Sequence, residues 1–408
     1  MKILQLCKKF PYPLKDGESL AVTYLSRALN DLGCAVTLLS MNTTKHFCDV
    51  ATLPDTYDHY RAIHAVRVDN RINYWGALRN LFSNESYHVS RFVTPAFAEK
   101  LEAVLRRETF DVIQLETPIL APYIPLIRQH SDALVAMRAH NVEHEIWKRI
   151  GKNSRWWPLR WYLNTLTRRL KKFEIENFKN YDRLVAITER DLRIFQQLGY
   201  RRSGVVTPIG LNIADYPEHY DSYDGPLSIG FIGSLDWMPN QEGLEWFMKT
   251  VWTKTVDRFP ELELHIAGRN PHKWSNSLRP PRAHFYGEVP CAKSFIHQHS
   301  IMIVPLLSGS GMRVKILEGM ALGRVVITTS LGLEGIPATD GREVLIADTP
   351  EKMLEALRFC VEQPQRLREM GRRARAFVAR EFDNRAIAAR LLEAYRHEPT
   401  SVLQSTPQ

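Results

Sequence analysis

Several features that would assign this sequence to a common class are absent. No apolar run reaches the length of about 18 residues that a transmembrane helix requires. The apolar segment at the start is interrupted by Lys8 and Lys9 and is too short for a signal peptide. The five cysteines are scattered and form no C-x-x-C pair, so they indicate neither a disulfide framework nor a zinc knuckle. We therefore expect a cytoplasmic protein.

Three enzyme motifs are missing as well. There is no G-x-x-x-x-G-K-[ST] phosphate loop, which argues against a nucleotide kinase. His140 and His144 form one close pair and His297 and His299 another, but neither pair belongs to an H-E-x-x-H motif or has a cysteine nearby. No Asp-x-Asp pair occurs either. The sequence therefore predicts no metal site and no resident cofactor.

What the sequence does contain is an alternation of apolar runs and helical patterns. At 408 residues with 44% hydrophobic residues, the chain is long enough for two domains. We predict an α/β fold in which two Rossmann-like domains face a central cleft. The alternation breaks once, in a turn-rich stretch. The predicted division is an N-terminal domain over 1–203, a linker over 204–226, a C-terminal domain over 227–380, and a terminal helix with a tail over 381–408.

A glycine turn between two apolar runs is the strongest local signal. The run at 301–305 predicts a strand, the pattern from Met312 predicts a helix, and the run at 325–329 predicts a second strand. Gly309 and Gly311 let the backbone of the turn come close to a ligand. The helix would point free N–H groups and a positive dipole end at that ligand, as suits a phosphate.

Three charged side chains follow this turn. Arg313 and Lys315 place two cations in the predicted first helical turn, and Lys315 and Glu318 share a helix face. A surface ion pair is one interpretation, but lysine ahead of glutamate is the less favourable order for such a pair. We favour a binding site, in which a cation meets phosphate and the carboxylate meets a sugar hydroxyl.

The N-terminal half carries polar residues just after its predicted strands. One strand ends in Glu116, and the strand at 133–137 runs into a cluster of ionisable residues around His140. The carboxyl ends of strands are where open α/β sheets hold their active sites. The alternative is that Asn141 caps a helix among exposed polar neighbours.

A basic, aromatic segment spans 147–172. Between Lys148 and Lys172 it holds nine basic residues and no acidic one, which alone accounts for the net charge of +9. Three interpretations are open: a solvated helix that covers its own domain, an anionic membrane surface, and nucleic acid. Of the two binding interpretations we favour the membrane, because tryptophan is typical of interfacial surfaces. The tryptophans concerned are Trp147, Trp156, Trp157 and Trp161.

Seven stretches occur in a recognisable order along the chain: 10–17, 140–143, 231–240, 267–271, 286–289, 309–326 and 331–336. Together they resemble the motifs of retaining GT-B glycosyltransferases, the group that assembles polysaccharides, glycolipids and glycoproteins. The resemblance covers nearly the whole chain. Its most specific part is Gly309-Ser-Gly-Met-Arg-Val-Lys-Ile-Leu-Glu318.

The resemblance implies a role for each matching residue of the C-terminal domain. Glu318 would accept hydrogen bonds from the donor ribose, and Val289 would hold the base through its backbone. Arg313 or Lys315 would neutralise the diphosphate, with the Gly311 backbone at the helix N-terminus. The further donor-binding positions are Gly233, Gly268, Gly309 and Ser310.

The N-terminal domain would bind the acceptor. There the resemblance implies that His140 contacts the donor sugar or steadies the departing phosphate, and that Gly17 packs against the sugar-phosphate.

The sequence departs from the family pattern at three positions. Ser310 replaces the first glutamate of the usual Glu-x7-Glu pair, and Ser234 and Asn240 stand where the family usually has an arginine and a lysine. We therefore expect Arg313 and Lys315 to take over the diphosphate.

We predict a glycosyltransferase that moves a sugar from a nucleoside diphosphate sugar to a polysaccharide, a lipid-linked precursor or another glycan, with retention and without a metal. No nucleophilic carboxylate is evident, although Glu116 and Glu143 stay open as candidates. A nucleotide-sugar epimerase of the same fold is one alternative. A nucleic-acid-binding protein is the other, but it leaves Gly309–Glu318 unexplained, so we expect no nucleic-acid partner. The expected partners are the donor, the glycan or lipid-linked acceptor and, through 147–172, the inner face of an anionic membrane.

Overall fold

A computed structural model describes residues 1–14, 16–71, 86–153, 157–269, 280–309 and 311–397. The chain divides into two compact units. The first comprises Met1–Gly210 together with Asn384–Gln408, and the second comprises Leu211–Asp383.

The first unit is built on a sheet of seven parallel strands in the order β3-β2-β1-β4-β5-β6-β7. The strands are β1 Lys2–Cys7, β2 Ala35–Thr43, β3 Ala62–Val68, β4 Val112–Leu115, β5 Leu134–Ala139, β6 Arg183–Ala186 and β7 Gly204–Val206. The helices are α1 Gly17–Asp31, α2 Tyr87–Ser90, α3 Pro95–Arg107, α4 Ile124–His130, α5 Glu143–Asn153, α6 Trp157–Asn177 and α7 Glu189–Gln197. Strand β7 lies in the predicted linker and pairs with β6.

The second unit has a sheet of six parallel strands in the order β10-β9-β8-β11-β12-β13. The strands are β8 Ser228–Ile232, β9 Glu263–Ala267, β10 Ala283–Gly287, β11 Ile301–Val304, β12 Val325–Thr328 and β13 Leu345–Ile346. The helices are α8 Met238–Phe247, α9 Thr253–Arg258, α10 Ala292–Gln298, α11 Val314–Ala321, α12 Pro350–Glu362 and α13 Pro364–Glu381. A π-helical turn, Met248–Trp252, joins α8 to α9.

The last helix, α14 Asn384–Arg396, belongs to the first unit. It lies along α1, and its apolar side chains Leu391, Leu392 and Tyr395 are buried in the same core as Val22 and Leu25 of α1. The chain therefore leaves the first unit at Gly210 and completes its core only with the final helix.

The central strands of both sheets are continuous apolar runs because helices cover both faces. All four residues of β11 and all four of β12 are buried. Since the strands of each sheet are parallel, their carboxyl ends lie at one edge, and the loops that leave this edge carry the candidate residues.

The approach of α8 to the loop after β11 depends on a glycine. A Cβ atom at Gly243 would lie 2.1 Å from the carbonyl oxygen of Pro305, which is a backbone atom that cannot rotate away. Helix propensity alone would favour alanine at this position by about 1 kcal/mol. A loss of stability in the alanine variant would therefore report the packing contact.

We expect Gly243→Ala to lower the free energy of unfolding by about 1–3 kcal/mol, because the helix must move off the loop. Gly225→Ala is the matched control, since a Cβ there meets nothing within 4 Å, and it should change stability by less than about 0.5 kcal/mol. Urea denaturation followed by circular dichroism measures both. A Gly243→Ala protein as stable as the wild type would contradict the contact.

Candidate functional site

The turn after β11 has the backbone that its glycines predict. Gly309 and Gly311 have φ angles of +105° and +84°, in the left-handed region that favours glycine. The predicted helix start at Met312 is wrong, because Arg313 is extended, with φ −94° and ψ 91°, and α11 begins at Val314. Lys315 is thus the second residue of the helix, and Arg313 is its N-cap residue. Ser310 lies outside the described residues.

Arg313 lies inside this turn. Its residue surface is 6% exposed, and Nη1 donates to the carbonyl oxygen of Gly311 at 2.7 Å. The guanidinium also lies over the indole of Trp237, 5.5 Å from the ring centroid. A Cβ at Gly309 would come within 2.9 Å of Nη2. The side chain therefore stabilises the turn through its hydrogen bond to Gly311 and places a positive charge beside it.

Lys315 is a partly buried cation whose direct contacts are with neutral groups. Its Nζ donates to Asn240 Oδ1 at 2.9 Å and to the carbonyl oxygen of Ile232 at 3.2 Å, and it lies 4.7 Å from the ring centroid of Phe231. Within the described ranges no carboxylate pairs with this ammonium. Loss of hydration on burial lowers the pKa of Lys315 to about 7, and repulsion from Arg313 adds to that effect.

Two glycine loops close around this ammonium. A Cβ at Gly268, after β9, would lie 1.8 Å from the carbonyl oxygen of Gly233, after β8. A Cβ at Gly233 would in turn lie 3.0 Å from Lys315 Nζ. The structure therefore brings together three predicted donor residues, Gly233, Gly268 and Lys315, at the carboxyl edge of the sheet.

A further cation at this edge was missed by the sequence reasoning. Arg269 Nε donates to Ser234 Oγ at 3.0 Å, and no carboxylate pairs with Arg269 in the part of the chain that the structure describes. Two positions lack the cations that the resemblance leads one to expect. Each contacts a cation from elsewhere in the unit: Ser234 contacts Arg269, and Asn240 contacts Lys315. The signal available in the sequence was an arginine directly after the Ala267-Gly268 turn.

Glu318 is directed away from Lys315. Tyr216 donates a hydrogen bond from its hydroxyl to Glu318 Oε1 at 3.1 Å. Burial raises the pKa of Glu318, although the Tyr216 hydrogen bond and the charge of Lys293 act in the opposite direction. Because Lys315 and Glu318 bond to separate partners, the ion-pair interpretation of their spacing is wrong.

Val289 lies on the loop after β10. It lines a cavity of about 420 Å³, and four of the other side chains that line this cavity carry aromatic or imidazole rings. These rings belong to His265, Tyr286, Phe295 and His299.

In the first unit, His140 follows β5 and is bonded to a carboxylate at the end of β4. His140 Nε2 lies 2.8 Å from Glu116 Oε2. Gly17 is the first residue of α1, whose N-cap is Asp16, and a Cβ at Gly17 would meet nothing within 4 Å. Lys8 lies close by and forms an ion pair with Glu143 at 3.7 Å.

The polar cluster after β5 is not held by an Asn141 cap. Glu174 on α6 accepts hydrogen bonds from the backbone N–H groups of Glu143 and His144 at 3.0 and 3.3 Å, so it caps α5 instead. It also pairs with His144 Nδ1 at 2.5 Å. In the described part of the chain, no three His, Cys, Asp or Glu side chains are grouped so that they could hold a metal ion.

The tryptophans of 147–172 have different surroundings. Trp157 and Trp161 on α6 are 78% and 57% exposed, whereas Trp147 packs edge-on against His88 at 5.1 Å between ring centroids. Trp156 lies outside the described residues. None of the helices that the structure describes is both long and apolar enough to cross a membrane.

Comparison with protein families accounts for most of the chain. Residues 16–214 match Glycosyltransferase Family 4, and residues 226–363 match Glycosyl transferases group 1. The chain is a group 1 glycosyltransferase. The two matched regions correspond closely to the two sheet-containing units, and each holds one of the site clusters described above.

Relatives of this glycosyltransferase support the fold. Sucrose-phosphate synthase from Thermosynechococcus elongatus superposes with a TM-score of 0.71 at 16% identity, over 97% of this chain and 98% of that one. Anabaena HepE in complex with UDP gives a TM-score of 0.67 at 14% identity, over 97% and 99%. These likenesses confirm the predicted GT-B fold. An uncharacterized 44.6 kDa protein in the cps region of Klebsiella pneumoniae is 21% identical, over 95% of this chain and 97% of the relative.

The lowered pKa of Lys315 makes the stability of this glycosyltransferase depend on pH. The folded pKa of about 7 lies below the unfolded value of about 10.4. Between these values the unfolded chain binds more protons, so stability must rise with pH. We expect the Tm of the ligand-free wild type to rise from pH 7 to 9.5 relative to Lys315→Met, measured by scanning fluorimetry.

Lys249→Met serves as the control for this prediction. Lys249 forms an exposed ion pair with Glu245 on the same unit, so its loss should shift Tm equally at both pH values. Parallel pH curves for the wild type and Lys315→Met would contradict the low pKa.

Proposed function

We propose that this glycosyltransferase transfers the sugar of a nucleoside diphosphate sugar to a polysaccharide or lipid-linked glycan precursor, with retention of configuration and without a metal. The observation that carries the proposal is the Lys315 ammonium, which has no carboxylate partner in the described ranges and lies between two glycine loops. A diphosphate is an anion of the right charge and shape for this place.

The leaving diphosphate needs positive charge at the moment the glycosidic bond breaks. In the proposed site Lys315 and Arg269 meet its oxygens, and the free N–H groups of α11 add the helix dipole. Arg313 supports the turn that presents those N–H groups and adds a third positive charge. These fixed groups can supply the stabilisation that a metal ion supplies elsewhere.

The remaining donor contacts are those that the sequence resemblance implies. Glu318 would accept hydrogen bonds from ribose hydroxyls, and Val289 would bond the base through its backbone. His140 would contact the donor sugar or the departing phosphate, with Gly17 packed against the sugar-phosphate. The cavity beside Val289 offers ring surfaces against which a base could stack.

Both carboxylates that the sequence left open as nucleophiles are engaged, which argues against a glycosyl-enzyme intermediate. Glu116 is completely buried and receives hydrogen bonds from four side chains, so it has no free oxygen for attack. Glu143 is paired with Lys8. With the retention that the sequence resemblance implies, we therefore favour attack by the acceptor hydroxyl on the face that the diphosphate leaves. The new C–O bond forms as the old one breaks, and the hydroxyl proton passes to a phosphate oxygen.

Structures with the same fold are consistent with this donor and acceptor. HepE has been crystallised with UDP and with UDP-glucose, and TarM with fondaparinux, α-GlcNAc-glycerol and UDP. The cps-region origin of the Klebsiella pneumoniae relative is consistent with polysaccharide assembly. The family match does not favour the epimerase or the nucleic-acid-binding alternative.

A thermal-shift panel of UDP-, GDP- and ADP-sugars should first identify the donor, because a bound donor stabilises the fold by mass action. With that donor, we expect Lys315→Ala to lower kcat by about 100-fold, since removal of one preorganised donor typically costs ~3 kcal/mol. Arg313→Ala should lower kcat as well, because the turn that presents the N–H groups of α11 loses its hydrogen bond from Arg313. Lys249→Ala is the control of equal charge change and should keep activity.

Intact turnover in both Arg313→Ala and Lys315→Ala would contradict the diphosphate assignment. Product analysis with donor alone tests the epimerase alternative, and formation of an epimer without acceptor would support it instead.

We also propose that α6 contacts an anionic membrane at the cytoplasmic face, where a lipid-linked acceptor would be found. Trp157 and Trp161 lie one turn apart at the start of the helix and are largely exposed. Arg168 and Lys172 continue the same exposed stripe. Exposed indoles followed by basic side chains suit the interface of an anionic bilayer.

Flotation with phosphatidylglycerol vesicles tests this contact. We expect Arg168→Ala/Lys172→Ala to weaken binding by about 30-fold, since each basic residue near such a surface contributes ~1 kcal/mol. Trp157→Ala/Trp161→Ala should weaken it as well, because the exposed indoles are lost. Arg372→Ala/Arg380→Ala removes two exposed charges from α13 and should leave binding unchanged. Binding that is insensitive to salt and to the α6 variants would contradict the proposal.

A further inference from the structure

A completely buried carboxylate lies beneath His140. Glu116 follows β4 and is 0% exposed. Its Oε1 accepts hydrogen bonds from Gln5 Nε2, at 2.6 Å, and from Gln114 Nε2. Its Oε2 accepts from Arg138 Nη1 at 3.1 Å and contacts His140 Nε2 at 2.8 Å. Both oxygens are therefore fully engaged, and the carboxylate cannot turn.

A second layer of tyrosines holds the two amides. Tyr60 donates to Gln5 Oε1 at 3.0 Å, and Tyr395 donates to Gln114 Oε1 at 2.6 Å. Because each amide oxygen accepts from a tyrosine, each NH₂ group faces Glu116. Tyr395 is on α14, so the last helix of the chain is connected to His140 through Gln114 and Glu116.

The charge on Glu116 is stable at neutral pH. Burial alone would raise the pKa of this carboxyl, but the charge of Arg138 and the His140 hydrogen bond outweigh it and lower the pKa to about 2. An ionised carboxylate can only accept hydrogen bonds. The ring nitrogen that faces it, His140 Nε2, must therefore carry a proton.

We propose that Glu116 is a positioning residue that holds His140 as its Nε2–H tautomer and leaves Nδ1 as the nitrogen available to the donor. The His140 side chain is 10% exposed, and Nδ1 makes no hydrogen bond within the described ranges. This inference rests on the proposed contact between His140 and the donor. It adds which atom makes that contact and what fixes its direction.

The tautomer can be measured without any assay of transfer. Protein labelled with ¹⁵N-histidine is observed by NMR at pH 8, and the His140 signals are assigned by their loss in His140→Gln. We expect a protonated Nε2 and a bare Nδ1 in the wild type, and loss of this preference in Glu116→Gln. A wild-type ring protonated on Nδ1, or an unchanged tautomer in Glu116→Gln, would overturn the proposal.

Glu174→Gln is the matched control for the NMR experiment. Glu174 is another buried carboxylate bonded to a histidine, His144, in the same unit. Its replacement should change the His144 signals and leave those of His140 as in the wild type.

Activity gives a second test that does not need the Glu116 variant to fold. An asparagine at position 140 places its amide near the position of Nδ1, and a glutamine reaches nearer to that of Nε2. We expect the kcat of His140→Asn to be at least about 10-fold higher than that of His140→Gln. The loss in His140→Gln relative to the wild type should fall within the range of about 10²–10⁴ that such groups contribute. The reverse order would overturn the assignment of Nδ1.

Tyr395→Phe tests the connection to α14. Loss of its hydroxyl should lower kcat several-fold with little change in the KM for donor, whereas Tyr123→Phe, which removes a buried hydroxyl bonded to the Phe92 carbonyl, should not. If both His140 variants were as active as the wild type while the NMR result held, the proposed catalytic contact would fail and the positioning by Glu116 would stand.

Discussion

In the part of the chain that the structure describes, the Lys315 ammonium is held by a carbonyl, an amide oxygen and an aromatic face, and by no carboxylate. Such a cation is costly to keep charged away from water, and its lowered pKa of about 7 expresses that cost. The surrounding residues leave room for this ammonium but give it no opposite charge. A Cβ at Gly233 or at Gly268 would meet neighbouring atoms at 3.0 Å or less, and Asn240 offers only a neutral acceptor. A bound anion would supply the negative charge that the ammonium lacks, so anion binding would also stabilise the charged form of Lys315.

The buried charge of the first unit, on Glu116, does have a partner of opposite charge. Glu116 is matched by Arg138, and four hydrogen bonds leave its oxygens no further capacity. A saturated network of this kind holds a side chain in one direction, which is what His140 needs if it is to present one ring nitrogen. The unmatched cation is thus suited to bind a ligand, and the matched anion is suited to orient a residue.

Much of this arrangement could be predicted from local sequence. Apolar runs separated by helical patterns were enough for two parallel sheets, and the spacing of Gly309 and Gly311 indicated a turn that lets a ligand approach. Local patterns failed where the decisive neighbour is distant in the chain. The contact of Arg269 with Ser234 joins residues 35 positions apart, and that of Tyr395 with Gln114 joins residues 281 positions apart. No local periodicity predicts such contacts. The helix start was misplaced because nothing in the sequence showed that Arg313 turns into the glycine loop and leaves the helical conformation.

A diphosphate that binds beside Lys315 should raise the pKa of this amine and make it fully charged. Counting the protons taken up on binding therefore tests the proposed diphosphate site most directly. Titration calorimetry with UDP, GDP and ADP at pH 8.5, repeated in buffers of different ionisation enthalpy, gives the number of protons taken up on binding. At this pH the free Lys315 is mostly neutral and the bound form would be charged, so the wild type should take up about one proton per diphosphate. Lys315→Arg, which is charged in both states, should take up none. Binding of a diphosphate to the wild type with no proton uptake would contradict the account.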